Sequence, residues 1–237
     1  MKLLKECTLT DKCSYLADME QTAHYKIVSE CTFSYCTTLV QRGWRRFGKM
    51  FFRPICADCN ECQSVKIDVN NYNFSKSERR VIRKNSNTTS VIQRPSISHE
   101  HIDLFNDYHS VMHELKGWDN NQTNLKSYYT SFVDGFDNFG YEILYFDNET
   151  LIGVDLIDII EDGISSIYFY YHPEYSHLSL GKYSLYKQIE LAKALKKEWI
   201  YLGYYVKDCP SLSYKSQFQP LKTLQNRPTE YEEDIWI

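Results

Sequence analysis

Cys56, Cys59 and Cys62 form a C-x2-C-x2-C run after Arg53-Pro54, and Cys13 is the best-placed fourth thiol. Four thiolates around one ion suit tetrahedral zinc or an iron–sulfur cluster. Composition does not choose between the two metals, and reduced, partly buried thiols are the alternative. Cys7, Cys31 and Cys36 lack such spacing and read as core or surface residues. The second concentration is aromatic: ten of the twenty tyrosines fall within residues 168–214, where strands are expected to end and a long helix to begin. Rings beside a nucleic-acid end can stack a base, worth about 1–3 kcal/mol each, although tyrosine is also a good strand former. The third is WIYLGYYVKDCPSLSYKSQFQP at 199–220, a strand running into Gly203-Tyr204-Tyr205 and a polar loop with Lys215, the outline of a site floor. Asp155 and Asp158 lie three positions apart on one expected strand and therefore on opposite faces, so that at most one faces the core. An inward carboxylate must be hydrogen-bonded, for structure or for catalysis. The chain has no Ser-His-Asp arrangement, Walker loop or H-E-x-x-H, its seven histidines show no ligand spacing, and Cys209 has no visible base partner.

The elements that position these residues follow from periodicity. After an irregular opening, a helix is expected over about 30–42, stopping at Gly43. WRRFGKMFFR at 44–53 reads as a strand pair broken at Gly48, and Ser64–Val69 as a strand whose Val65, Ile67 and Val69 alternate with polar residues. Ser75 or Ser77 caps a short basic helix carrying Arg79, Arg80, Arg83 and Lys84, and a further strand follows near 88–93. From about Ser98, Ile102, Phe105, Tyr108, Val111, Met112 and Leu115 recur at helical spacing, with a second helix over about 123–134. Strands near 141–147, 150–159 and 164–171, a helix at 182–197 and a strand at 199–203 complete the order. This is an α+β layer with a central, mostly antiparallel sheet. Arg94-Pro95 marks the boundary between residues 1–95 and 96–237.

The 237 residues carry a net charge of −4, which hides an asymmetry. Residues 42–94 hold twelve Lys and Arg against four Asp and Glu, a local charge of +8 in an otherwise acidic chain. Such a block suggests one anionic partner at one place. No apolar run approaches the roughly 18 residues that span a bilayer, so no membrane partner is expected and the location is expected to be cytoplasmic. In that compartment eight cysteines are not a disulfide framework.

RGWRRFGKMFFRPICADCNEC (Arg42–Cys62), preceded by CSYL (Cys13–Leu16), strongly resembles the aminoacyl-tRNA–protein transferase family. The match resumes at FSKSERRVIRKN (Phe74–Asn85) and DGISSIYFYYHP (Asp162–Pro173), and closes with LSLGKYSLYKQIELAKA and YLGYYVKDCPSLSYKSQFQP. The resemblance implies an N-terminal cysteine-containing domain followed by an acetyltransferase-like (GNAT) domain. It implies transfer of an amino acid from aminoacyl-tRNA to the N-terminus of a protein, marking that protein for degradation. The bacterial pattern favours leucyl-tRNA as donor and N-terminal Asp or Glu as acceptor, with arginyl-tRNA the alternative donor.

Within that frame the basic helix (Arg79, Arg80, Arg83, Lys84) is expected to hold tRNA phosphates. Tyr168, Tyr170, Gly181 and Tyr205 are expected to line the terminal adenosine or the aminoacyl group. Arg45, Arg46 and Lys215 are the candidate cations for an acidic acceptor. Asp158 is the candidate for orienting the amine and Tyr204 for stabilising the oxyanion, with Lys215 beside them; no cofactor is expected for catalysis. A coenzyme A-dependent acetyltransferase is disfavoured, because His177–Tyr183 contains one glycine and a bulky tyrosine where a pyrophosphate loop needs small residues. The rival of another class is a non-catalytic module that binds tRNA or protein N-termini.

Overall fold

The computed structural model describes residues 1–135 and 138–237. Its first feature departs from the sequence reading. The opening segment is a long antiparallel hairpin, β1 (Lys2–Lys12) and β2 (Glu20–Glu30). Almost every β1 residue is exposed, on both sides of the strand. With no buried face there is no period-two pattern to read. Helix α1 (Phe33–Gln41) follows, started by the Thr32 side chain accepting from Tyr35 N, and then β3 (Arg45–Phe47) and β4 (Met50–Pro54). These strands form a four-stranded sheet in the order β1-β2-β4-β3. Gly48 makes the β3–β4 turn at φ 52°, where a Cβ would stand 2.1 Å from the Thr130 carbonyl oxygen, so only glycine fits.

The rest of the chain builds a seven-stranded sheet. Its elements are β5 (Gln63–Asp68), α2 (Lys76–Lys84), β6 (Thr88–Gln93), α3 (His99–Lys116), α4 (Leu125–Tyr128), β7 (Gly140–Asp147), β8 (Thr150–Ile159), β9 (Gly163–Tyr171), α5 (Leu180–Ala194), β10 (Trp199–Tyr205), α6 (Pro210–Ser213) and β11 (Leu221–Thr223). The order is β11-β5-β10-β9-β8-β7-β6, antiparallel except where β10 runs parallel to β9. Strands β5 and β6 precede residue 95 and yet join this sheet. The expected helix over 123–134 holds α form only through Tyr128 and continues as a π turn over Tyr129–Val133.

Helices cover both faces of this sheet. Helix α5 lays Leu180, Tyr183, Leu185, Tyr186 and Ile189 on one face against Val65, Ile67, Ile152, Ile164 and Ile200, with α2 beside it. Helix α3 lays Ile102, Phe105, Tyr108 and Met112 on the other, against Leu144, Val154, Leu156 and Tyr170. This overturns one expectation. Asp155 and Asp158 do face opposite sides, but both are fully buried, because each face of β8 is covered. Asp155 accepts twice from Gln188 Nε2, at 3.0 and 2.8 Å, and burial pushes its carboxyl up to about 7. A third core joins the two sheets, with Val28, Cys36, Leu39, Trp44 and Phe51 packed on Phe139, Ile160 and Tyr201. Cys31 and Cys36, read from the sequence as core or surface residues, belong to it.

Candidate active site

Strands β9 and β10 pair only over Gly163–Ser165 and Trp199–Tyr201; beyond that point they part. The opened backbone is filled from the first sheet. The Arg45 guanidinium on β3 donates to the Ser166 and Ile167 carbonyls of β9 (3.4 Å to Ile167), to the Tyr201 carbonyl (3.5 Å) and to Ser165 Oγ (3.3 Å). Gly203 makes room for it: a Cβ there would stand 2.6 Å from Arg45 Nε, and φ is 76° at a bulge in β10. Burial pulls the Arg45 pKa down, opposed by Tyr204 and Asp158 nearby. Charge-assisted bonds to four backbone and hydroxyl acceptors hold the cation in place.

Its neighbour Arg46 points the other way in the strand. It forks onto Asp158, Nε to Oδ2 at 3.0 Å and Nη2 to Oδ1 at 2.5 Å, while Nη1 donates to Gly48 O at 2.6 Å. Both partners are buried, so Arg46 and Asp158 satisfy each other and tie β3 to β8. Tyr204, also buried, donates its hydroxyl toward the Gly43 (3.0 Å) and Phe52 (3.2 Å) carbonyls, a second joint between the sheets. Burial pushes that hydroxyl far above the ordinary tyrosine range, so it stays protonated.

Lys215 enters from the 3-10 turn after α6. It is buried, and its Nζ donates to the Tyr204 carbonyl at 2.7 Å. Burial and then the charge of Arg45 push it down to about 7, against smaller opposing effects from Cys209 and Cys62. Lys66 is the other depressed lysine, held down to about 8 chiefly by burial. It sits in a cage of Trp199 and Trp236, 3.9 and 4.4 Å from the ring centroids.

The cysteine loop abuts this place. Tyr15, from the CSYL segment, has its hydroxyl pushed up to about 12 by burial and by Cys62, against an opposing pull from Arg45. Cys62 is itself pushed up to about 12 by burial, and the thiols of Cys13, Cys56 and Cys59 add to that rise. Four crowded thiols are the right donors for zinc or iron. Their present bonds are different: Cys56 Sγ accepts from Thr22 N at 3.4 Å, and Cys13 Sγ from Tyr15 N at 3.5 Å. Among the described residues no three His, Cys, Asp or Glu side chains are arranged as a metal site. The donor set fits a metal in type, and the four thiols lie close enough to influence one another.

Other expected residues lie apart. Tyr170 is fully buried with its hydroxyl 2.5 Å from that of Tyr128, and the Tyr168 hydroxyl is 2.9 Å from His109 Nε2, both on the α3 face. Tyr205 is half-buried against the α5 face, and nothing stands within 4 Å of where Gly181 would carry a Cβ. On α2, Arg79, Arg80, Arg83 and Lys84 are exposed. Lys84 Nζ donates to the His177 carbonyl and Asn85 Nδ2 to that of Leu178 at 2.9 Å, tying α2 to the turn before α5. The basic block therefore divides: an exposed helix on one side, and Arg42, Arg45, Arg46, Arg53 and Lys66 buried or half-buried between the sheets.

Between the sheets lies a cavity of about 390 Å³ whose walls include Arg42, Arg53, Arg227, Gly43, Cys62 and Tyr204. Sequence reasoning missed Arg53 and Arg227 as site residues. Arg53 stands within the RPICADC run, whereas nothing in the single sequence marks Arg227. Among the described residues no helix is long and apolar enough to cross a membrane.

Two family models cover most of the chain: the N terminus of arginine-tRNA-protein transferases matches residues 11–80, and the C terminus residues 100–225. An aspartate/glutamate leucyltransferase of Campylobacter jejuni subsp. jejuni serotype O:6 is 49% identical over 229 residues, covering 97% of this chain and 96% of its own. One from Helicobacter hepaticus is 39% identical over 236 residues, covering 100% and 98%. The crystal structure of FemX aligns with 98% of this chain and 82% of its own at 7% identity with a TM-score of 0.46. The two matched halves and the full-length identity show that the chain belongs to the arginine-tRNA-protein transferase family, alongside aspartate/glutamate leucyltransferases.

Proposed function

We propose that the chain transfers leucine from leucyl-tRNA to the N-terminal Asp or Glu of proteins, marking them for degradation, on an acetyltransferase-like C-terminal part. The reading rests on its near-full-length identity to aspartate/glutamate leucyltransferases. The buried Lys215 held on the Tyr204 carbonyl supports it chemically. The reaction is aminolysis of an ester. The acceptor's α-amine attacks the leucyl carbonyl carbon, the new C–N bond forms, the C–O bond to the terminal ribose breaks, and the tRNA leaves with a free hydroxyl. The attacking nitrogen must lose a proton on the way. An α-amine of pKa about 7.7–8.0 is mostly protonated at pH 7. A lysine that burial and Arg45 push down to about 7 is suited to accept that proton. Holding amine and ester together accounts for the larger share of catalysis, about 7–11 kcal/mol of barrier. Incubation with tRNA charged with leucine or with arginine tests the donor: leucine transfer supports the proposal, and arginine transfer alone contradicts it.

The exposed cations of α2 beside the start of α5 suit the phosphates of the tRNA acceptor end. Arg80→Gln and Arg83→Gln are each expected to weaken leucyl-tRNA binding and to lower the slope of log K against log salt by about one. A filter-binding titration over salt checks this, and unchanged slopes would remove α2 from the interface.

Zinc or an iron–sulfur cluster at Cys13, Cys56, Cys59 and Cys62 would brace the loop next to Tyr15 and take no part in the transfer step. Elemental analysis of protein purified without air is expected to find about one zinc, or iron with sulfide, per chain. Neither metal present would leave the cysteines as packed thiols.

A further inference from the structure

We infer that the cavity between the two sheets is the pocket for the acceptor's acidic side chain, with Arg53 and Arg227 as its specificity-determining cations. The inference rests on the transferase reading and assigns a part that it leaves open. Arg46, a candidate for that role from the sequence, is spent on Asp158, and Arg45 on the carbonyls between β9 and β10. The cavity has three arginines and no carboxylate in its walls, and at about 390 Å³ it is large enough for one terminal residue.

The two arginines are held by backbone carbonyls and not by acids. Arg53 donates Nη1 to the Pro228 carbonyl at 2.8 Å and lies over the Trp44 ring at 4.8 Å. Its Nε is buried with no hydrogen-bond partner. A buried donor left open is costly unless a ligand fills it. Arg227 donates Nη1 to the Cys56 carbonyl at 3.0 Å and Nη2 to the Cys59 carbonyl at 2.8 Å, so the cysteine loop presents it. Among the described residues neither has an ion-pair partner, whereas Arg42 on the same wall stands 3.7 Å from Asp234. Glu230 and Glu232 act on Arg53 only at longer range, beyond ion-pair contact, and two guanidinium groups without a directly paired acid recognise a carboxylate and gain little from its amide. Tyr204 links the pocket to the chemistry: it lines the cavity, and its carbonyl holds Lys215 Nζ. A tRNA phosphate is the weaker fit, since the exposed cations lie on α2.

The test is equilibrium binding, without tRNA, of peptides beginning Asp-Ala and Asn-Ala to the full chain and to Arg53→Gln, Arg53→Lys and Arg227→Gln. The Asp peptide is expected to bind the unaltered chain more tightly than the Asn peptide, and each Gln variant to weaken it by on the order of 10- to 100-fold. Arg53→Lys should lose less than Arg53→Gln. In transfer assays the same variants should raise the acceptor KM and leave leucyl-tRNA affinity in place. Equal binding of the two peptides, or Asp-peptide binding unmoved in both Gln variants, overturns the inference. So does a loss confined to leucyl-tRNA. Binding that follows these arginines without any transfer would sink the transferase reading and keep the pocket; transfer with an unchanged acceptor KM would do the reverse.

Discussion

Lys215→Met is expected to lower kcat for leucine transfer by about 10²- to 10⁴-fold, the usual contribution of a positioned acid or base, with leucyl-tRNA affinity kept. The substitution preserves length and apolar stem while removing the amine that donates to the Tyr204 carbonyl. The pH profile carries the sharper signature. Burial and Arg45 set the amine near 7, so the rate in the unaltered chain should climb as pH rises through about 7 and Lys215 sheds its proton. In the variant that limb should retreat to the titration of the acceptor amine alone, about 7.7–8.0. Stability gives an independent reading with a fixed sign. The folded pKa lies below the unfolded value of 10.5, so between these two values the unfolded chain binds more protons and stability rises with pH. Below about 7 the buried amine is charged in both states and the penalty is complete. Lys215→Met should therefore flatten the stability curve between pH 7 and 10.5 as well as the rate limb. Stepwise denaturant titrations across that range check it, and an unaltered slope would show that Lys215 does not titrate near 7.

The second large effect concerns Asp158. Asp158→Asn is expected to destabilise the protein by about 3–5 kcal/mol, because it strands a buried guanidinium against a neutral partner. For a chain of this size that corresponds to a fall in Tm on the order of 10 °C. Arg46→Gln should cost a similar amount, and the double variant less than the two summed, since both remove one bond pair. The measurement separates two roles for the carboxylate. Both its oxygens accept from Arg46, so Asp158 joins β3 to β8, and a purely structural carboxylate would leave the reaction to other groups. At a temperature where Asp158→Asn remains folded, transfer should then persist. Loss of transfer with full stability would return Asp158 to the reaction.

The parts of this molecule legible in its sequence are those with a buried face or a local signal. Ser98 before the helical run of Ile102, Phe105, Tyr108 and Met112 gave α3, and that helix is capped by Ser98 accepting from His101 N. Ser75 or Ser77 marked the start of α2, and in the structure Ser75 is the cap, with Glu78 completing a capping box. Gly48 marked the turn between β3 and β4. The exposed β1–β2 hairpin had no such signal. The site depended on long-range pairing, which no local pattern encodes: Arg46 meets Asp158 across 112 positions and Arg227 meets Cys56 across 171. Adjacent arginines 45 and 46 looked interchangeable as candidate cations, yet strand alternation sends one to the β9–β10 opening and the other to β8. The cation count was readable; which cations remain without an acid was not.

The central claim is leucine transfer to acidic N-termini, and mass spectrometry of acceptor peptides tests it most directly. Purified protein is incubated with leucyl-tRNA and peptides beginning Asp, Glu, Lys or Ala. The account predicts one leucine added at the N-terminus of the Asp and Glu peptides and none on the others. Leucine on all four alike, or on none while leucyl-tRNA still binds, would contradict it.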